Sequence, residues 1–273
     1  MRATTKQLIV LCALAVTAIS DRGESKTDLK TSSLAKPLLQ AHAHNDYEHV
    51  HPFWDAFNLG FCNIEPDIFL VDGKLLVAHN LKDVTPERSL EALYLDPILK
   101  LVESGGISKE KFPITLLIDV KSAAIPTYEV LHRTLERYER MLTRFEGDRV
   151  FTNAVTVVVS GERTREVMQE QKRRFATYDG RLEDIDSSAP SSFIWWISDD
   201  WTQNFQWRGE GPVSDRDLTK FKAIVAKVHA HGRKLRFWAM PDKPEVWQML
   251  RTNQVDIIGS DNLKGLHDFL IGK

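Results

Sequence analysis

Cysteine is almost missing from this 273-residue chain, which holds only Cys12 and Cys62. Cys12 falls in the apolar leader described below, so Cys62 in "LGFCNIEPD" is left alone. One thiol makes no internal disulfide and no thiolate zinc site, and Cys62 reads as a small core residue. Charge of one sign is lacking too, with 36 Lys and Arg against 38 Asp and Glu. A net charge of −2 gives no basic field to hold nucleic acid or anionic lipid. No glycine-rich phosphate loop follows the first candidate strand, which argues against a doubly wound dinucleotide-binding sheet. No internal repeat is visible, which argues against a solenoid or propeller.

What is present begins with "MRATTKQLIVLCALAVTAIS", a basic start, a short apolar run and small residues before Asp21. The run is too short for a bilayer span and reads as a signal peptide over residues 1–20, so the chain is expected to be exported, to a periplasm or the extracellular space. Residues 21–35, "DRGESKTDLKTSSLA", are polar and aperiodic and read as a flexible lead-in. From residue 36 to 273, eight short apolar runs alternate with amphipathic patterns. The expected strands are 37–43, 61–68, 114–120, 154–160, 174–178, 192–198, 234–240 and 255–260. The expected helices include one that opens with Pro86 and closes with Gly105, and one over 125–145, where Tyr128, Leu131, Leu135, Tyr138 and Leu142 fall at helical spacing. This rhythm predicts a single-domain α/β fold, a (β/α)8 TIM barrel.

In such a barrel the chemistry sits at the carboxyl ends of the strands. Strand 1 ends in "AHAHNDYEHVH", with His42 and His44 on one face and Asn45 at the loop. On strand 2, Asn63, Glu65 and Asp67 share a face, and Pro66 fits a strand about to end. Asp72-Gly73 is a type I′ hairpin signal whose returning arm brings His79 back toward Glu65 and Asp67. On the next strand Asp119 and Lys121 face the same way. So many charges crowded together are costly without a counter-ion. Glu65, Asp67, Asp119 and the Asn45 carbonyl offer oxygen ligands for one hard divalent cation, Ca2+ or Mg2+. His79, with His42 or His44, could then serve as general base and general acid. Trp238, ending strand 7, is a candidate pocket wall. Trp201 and Trp207 could line a pocket or touch a membrane surface transiently, although core packing is the simpler reading. Asp261 fits a cap of the last helix as well as a substrate contact.

The motifs "HAHNDY" (42–47), "IEPDIFLVDGKLLVAH" (64–79) and "LLIDVK" (116–121) resemble the superfamily of phosphatidylinositol-specific phospholipases C, glycerophosphodiester phosphodiesterases and spider-type sphingomyelinases D. "RFWAMPD" and "IIGSDN" add support on the last two strands, so the resemblance spans the chain from about residue 36. It implies a metal-dependent phosphodiesterase acting on a small-molecule or lipid phosphodiester, with no nucleic-acid partner. Glu65, Asp67 and Asp119 would be metal ligands, with Asn45 as a further ligand, and Lys121 would neutralise phosphate charge. His79 would be one of two catalytic histidines. "HNDY" selects His44 as the other, whereas "AHAHN" also fits a pattern that selects His42. Attack by a substrate hydroxyl, giving a cyclic phosphate, is the route of several relatives. The glycerophosphodiesterase signature His-Arg-Gly is absent. A metal-dependent amidohydrolase barrel and a non-catalytic metal-pocket binding protein are the alternatives. The first would need histidines on strands 5 and 6, and none occurs between residues 133 and 228.

Overall fold

The computed structural model describes residues 35–273. The expected signal peptide, and the expected lead-in up to residue 34, lie outside the described residues. Among the described residues no helix is long and apolar enough to cross a membrane.

The eight expected strands all form. They are β1 (Leu38–Ala43), β2 (Phe61–Ile64) continued by β3 (Asp67–Val71), β5 (Ile114–Val120), β8 (Val155–Gly161), β9 (Ala176–Gly180), β10 (Ile194–Asp200), β11 (Lys234–Trp238) and β12 (Ile257–Ser260). β4 (Lys74–Val77) returns antiparallel from β3. The remaining pairings are parallel around the ring, and β2 against β5 closes it, giving a single-domain eight-stranded barrel. Asp72 and Gly73 both take positive φ, 48° and 76°, as a type I′ turn requires.

Helices cover the outside as α1 (Trp54–Asn58), α2 (Asp96–Glu103), α3 (Ala124–Glu136), α4 (Arg165–Glu170), α5 (Trp201–Asn204), α6 (Asp215–Ala230), α7 (Pro244–Thr252) and α8 (Leu263–Ile271). Three boundaries differ from expectation by more than two residues. The strand expected at 61–68 is interrupted at Glu65-Pro66 and resumes to Val71, because Pro66 has no N–H to give the ladder. Register survives the break, since Asn63 pairs with Thr115 and Asp67 with Asp119. The helix expected to reach Phe145 stops at Glu136, and β6 (Arg144–Glu146) and β7 (Arg149–Phe151) form a small hairpin instead. The helix expected from Pro86 begins at Glu91, with a π-turn.

Side chains alternate along the strands. Leu116, Ile118, Val157, Val159 and Ile197 pack outward in the main core, while Leu117, Val158, Trp196 and Ile257 form a small plug inside the barrel. Two residues further along each strand the inward positions become Asp119, Ser160, Ser198 and Gly259. The lumen is therefore apolar at its middle and polar at the carboxyl end. Trp201 packs in the outer aromatic core against Phe205, Phe221 and Phe237, and Trp207 lies against it, so neither serves as a pocket wall.

Candidate active site

Asp67 and Asp119 are neighbours because β3 and β5 pair in that register. Glu65 precedes them at the break in the second stave. One carboxylate oxygen from each of the three lies within 4.8 Å of the other two. Lys121 caps the pair, its Nζ 2.7 Å from Asp119 Oδ2 and 3.1 Å from Asp67 Oδ2. One ammonium does not satisfy the cluster: Oδ1 of Asp67 and Oδ1 of Asp119 are buried with no hydrogen-bond partner among the described residues. Burial, then the charge of Glu65, pushes the Asp67 carboxyl up to about 6 and raises that of Asp119. Buried unpartnered carboxylate oxygens in such a cluster suit a hard divalent cation.

Glu65 behaves differently. Burial works against its charge, but the Arg236 guanidinium and the His42 hydrogen bond outweigh it and hold the carboxyl well below the usual range. Its Oε2 accepts from Arg236 Nη2 at 2.5 Å and lies 2.6 Å from His42 Nε2. His42 is wholly buried, edge-on to Trp196, and burial followed by the charge of Arg236 lowers its pKa to about 4. It is neutral at pH 7, and its Nε2–H donates to Glu65.

His44 faces the pocket. Its side chain is 32% exposed and its Nδ1 is 2.8 Å from Asp261 Oδ1. Burial pulls its pKa down, but the Asp261 hydrogen bond and the Glu65 charge prevail and raise it. Asn45 turns the chain out of β1 in the left-handed region, φ 49° and ψ 36°, which Asn tolerates. The Tyr47 hydroxyl lies 2.6 Å from Asp67 Oδ2, 2.8 Å from Asn45 Oδ1 and 2.9 Å from His79 Nδ1. The contacts of His44 and His79 run through Nδ1, and among the described residues Nε2 of neither ring has a hydrogen-bond partner.

One pocket at the barrel mouth is lined by His44, Asn45, Glu65, His79, Asp119, Lys121 and Trp238, all singled out in the sequence. Asp67 lies beneath it. His42 does not line it. Three further lining residues, Ser160, Arg181 and Arg236, escaped the sequence reading. Arg236 was within reach, since it shares the inward face of "KLRFWAM" with Trp238. Asp261 does not cap the last helix. Asn262 does, accepting from Gly265 N–H, and Asp261 holds His44.

The model of the AIM6-like phosphodiesterase domain family matches residues 32–179. The chain is 24% identical over 261 residues to the altered inheritance of mitochondria protein 6 homolog of Arthroderma benhamiae, covering 82% of each. It is 25% identical to altered inheritance of mitochondria protein 6 of Eremothecium gossypii, covering 85% of this chain and 69% of that one. A glycerophosphodiester phosphodiesterase from Parabacteroides distasonis shares the fold, with TM-score 0.51 at 13% identity, covering 85% of this chain and 97% of that one.

Proposed function

The chain belongs to the AIM6-like phosphodiesterase family, and on that premise we propose that it is a divalent-metal-dependent phosphodiesterase using His44 and His79 as its proton-transfer pair. One observation carries this reading. Glu65 and Asp119 line a pocket with two histidines and a lysine and cluster with Asp67, and among the described residues two buried oxygens of this trio and both Nε2 atoms lack a partner.

Glu65, Asp67 and Asp119, with Asn45 beside them, would hold Ca2+ or Mg2+. Such an ion, when bound, would neutralise the non-bridging phosphate oxygens and polarise phosphorus. Lys121 would bring a second positive charge to the same oxygens, the kind of electrostatic stabilisation that usually contributes most. His44, whose proton affinity the Asp261 hydrogen bond helps to raise, would give its Nε2 proton to the leaving oxygen. His79, oriented through Nδ1 by Tyr47, would take the proton of the attacking hydroxyl. His42 would act on Glu65, as a positioning residue. Where the attacking hydroxyl belongs to the substrate, the first product is a cyclic phosphate.

The test is a 31P NMR time course on glycerophosphodiesters, lysophospholipids, sphingomyelin and phosphatidylinositol, with Ca2+, Mg2+ or EDTA, beside Glu65→Gln. Metal-dependent turnover that the variant loses is expected. Metal binding without turnover of any diester would favour a binding protein instead.

A further inference from the structure

Arg181 follows β9 and meets Trp238 at the end of β11, one strand beyond the neighbouring β10. Its guanidinium carbon stands 4.7 Å from the centre of the Trp238 ring, within cation–π range. The lumen below fixes it there. Arg181 Nη1 donates to Asp179 Oδ2 at 2.8 Å, and Nη2 donates to Ser160 Oγ at 3.3 Å. Asp179 is wholly buried and also accepts from the hydroxyls of Ser160 at 2.8 Å and Ser198 at 2.6 Å. Its carboxylate is thus committed to supporting Arg181 and is no free ligand. The Arg181 side chain stays 20% exposed and lines the pocket that holds Lys121 and Trp238.

Trp238 is the aromatic wall of that pocket, and an aromatic face is what a quaternary ammonium needs. Here the Arg181 guanidinium already covers one face of the ring. A trialkylammonium would find the ring face that it needs taken by the guanidinium, and it has no acceptor for a guanidinium donor. Hydroxyl and phosphate oxygens have such acceptors.

Building on the phosphodiesterase reading, we infer that Arg181 sets head-group specificity: it selects diesters with an oxygen-rich polyol head group and rejects those carrying a trialkylammonium.

The experiment measures kcat/KM for glycerophosphoinositol and glycerophosphocholine, with bis(p-nitrophenyl) phosphate as a diester that has neither head group. Wild type, Arg181→Met and Arg181→Lys are compared, with melting curves to show that each is folded. The wild-type preference for the polyol ester is expected to exceed tenfold. In Arg181→Met it is expected to fall at least tenfold, mainly through KM for the polyol ester, with part of the loss recovered in Arg181→Lys. A wild-type protein that turns over diesters without that preference overturns the inference, and so does an unchanged ratio in the folded Met variant. If Arg181→Met does not fold, the wild-type ratio and Arg181→Lys decide. Absence of turnover on all three compounds with either metal overturns the phosphodiesterase reading itself, and this inference with it.

Discussion

Asp67 and Asp119 stand side by side as register partners on β3 and β5, and each keeps a buried Oδ1 without a partner. The sheet pairing buries Asp67 and sets it near the charges of Glu65 and Asp119, so the site without a cation is built at a cost to stability. That cost has a pH signature. Asp67 titrates near 3.8 when unperturbed and near 6 in the fold. As pH rises, the unfolded chain gives up this proton first. Stability from this group is therefore highest below about 4, falls between about 4 and 6, and levels off above. At about 1.4 kcal/mol per unit, the loss is on the order of 2–3 kcal/mol. Melting of metal-free wild type against Asp67→Asn should show the variant gaining across that window. Millimolar Ca2+ or Mg2+ at pH 7 should stabilise the wild type and not the variant. A gap that stays constant with pH would sink this account.

His42 and His44 share a strand face but have different surroundings, which predicts opposite consequences of their loss. His44→Gln is expected to reduce turnover by about 10²–10⁴-fold with little change in metal affinity. His42→Ala leaves Glu65 short of a donor and opens a cavity beside Trp196. It is expected to lower the melting temperature by several degrees and weaken metal binding measured by calorimetry. Reversal of the two patterns would make His42 the catalytic partner of His79.

Asp261 is expected to govern the protonation of His44. Asp261→Asn replaces a charged hydrogen-bond acceptor by a neutral one, leaving the Glu65 charge alone to oppose the burial and the Arg236 charge that lower the His44 pKa. The ring should titrate at lower pH by NMR in the variant. The limb of the pH–rate profile that follows His44 should move to acid pH with it. An unmoved His44 titration would detach Asp261 from the mechanism.

The ring of strands, the hairpin at Asp72-Gly73 and the carboxylate trio were legible because each rests on a local pattern: apolar runs, a turn dipeptide, alternation along a strand. What escaped depends on long-range contacts. Nothing near Glu65 in sequence announces Arg236, 171 positions away, whose guanidinium keeps it ionised. The choice between His42 and His44 could not be made from periodicity, because both point inward. It turns on depth, one ring lying on the Trp196 plug and the other at the rim. The helix overrun past Glu136 has a similar origin. Helical spacing continues to Leu142, but the backbone N–H of Thr143 donates to the carbonyl of Val155 on β8 at 2.7 Å, and tertiary pairing overrides the local pattern.

Gly161 offers the sharpest steric test of the carboxylate cluster. It ends β8 at φ +69°, and a Cβ placed there would fall 1.9 Å from Asp119 Oδ1 and 2.3 Å from the Val120 carbonyl oxygen. Only glycine lets β8 pass so close to the Asp119 carboxylate, and only glycine takes that φ without strain. Gly161→Ala must therefore displace Asp119, the backbone, or both. Metal affinity is expected to fall at least tenfold, with a stability loss of about 1–3 kcal/mol from the strained backbone. Gly147→Ala is the control, because it also has positive φ, 59°, but its Cβ would meet nothing within 4 Å. It should cost stability alone. Equal metal affinity in the two variants would mean that the position of Asp119 does not limit ion binding, and the ligand set would have to be redrawn around Glu65 and Asp67.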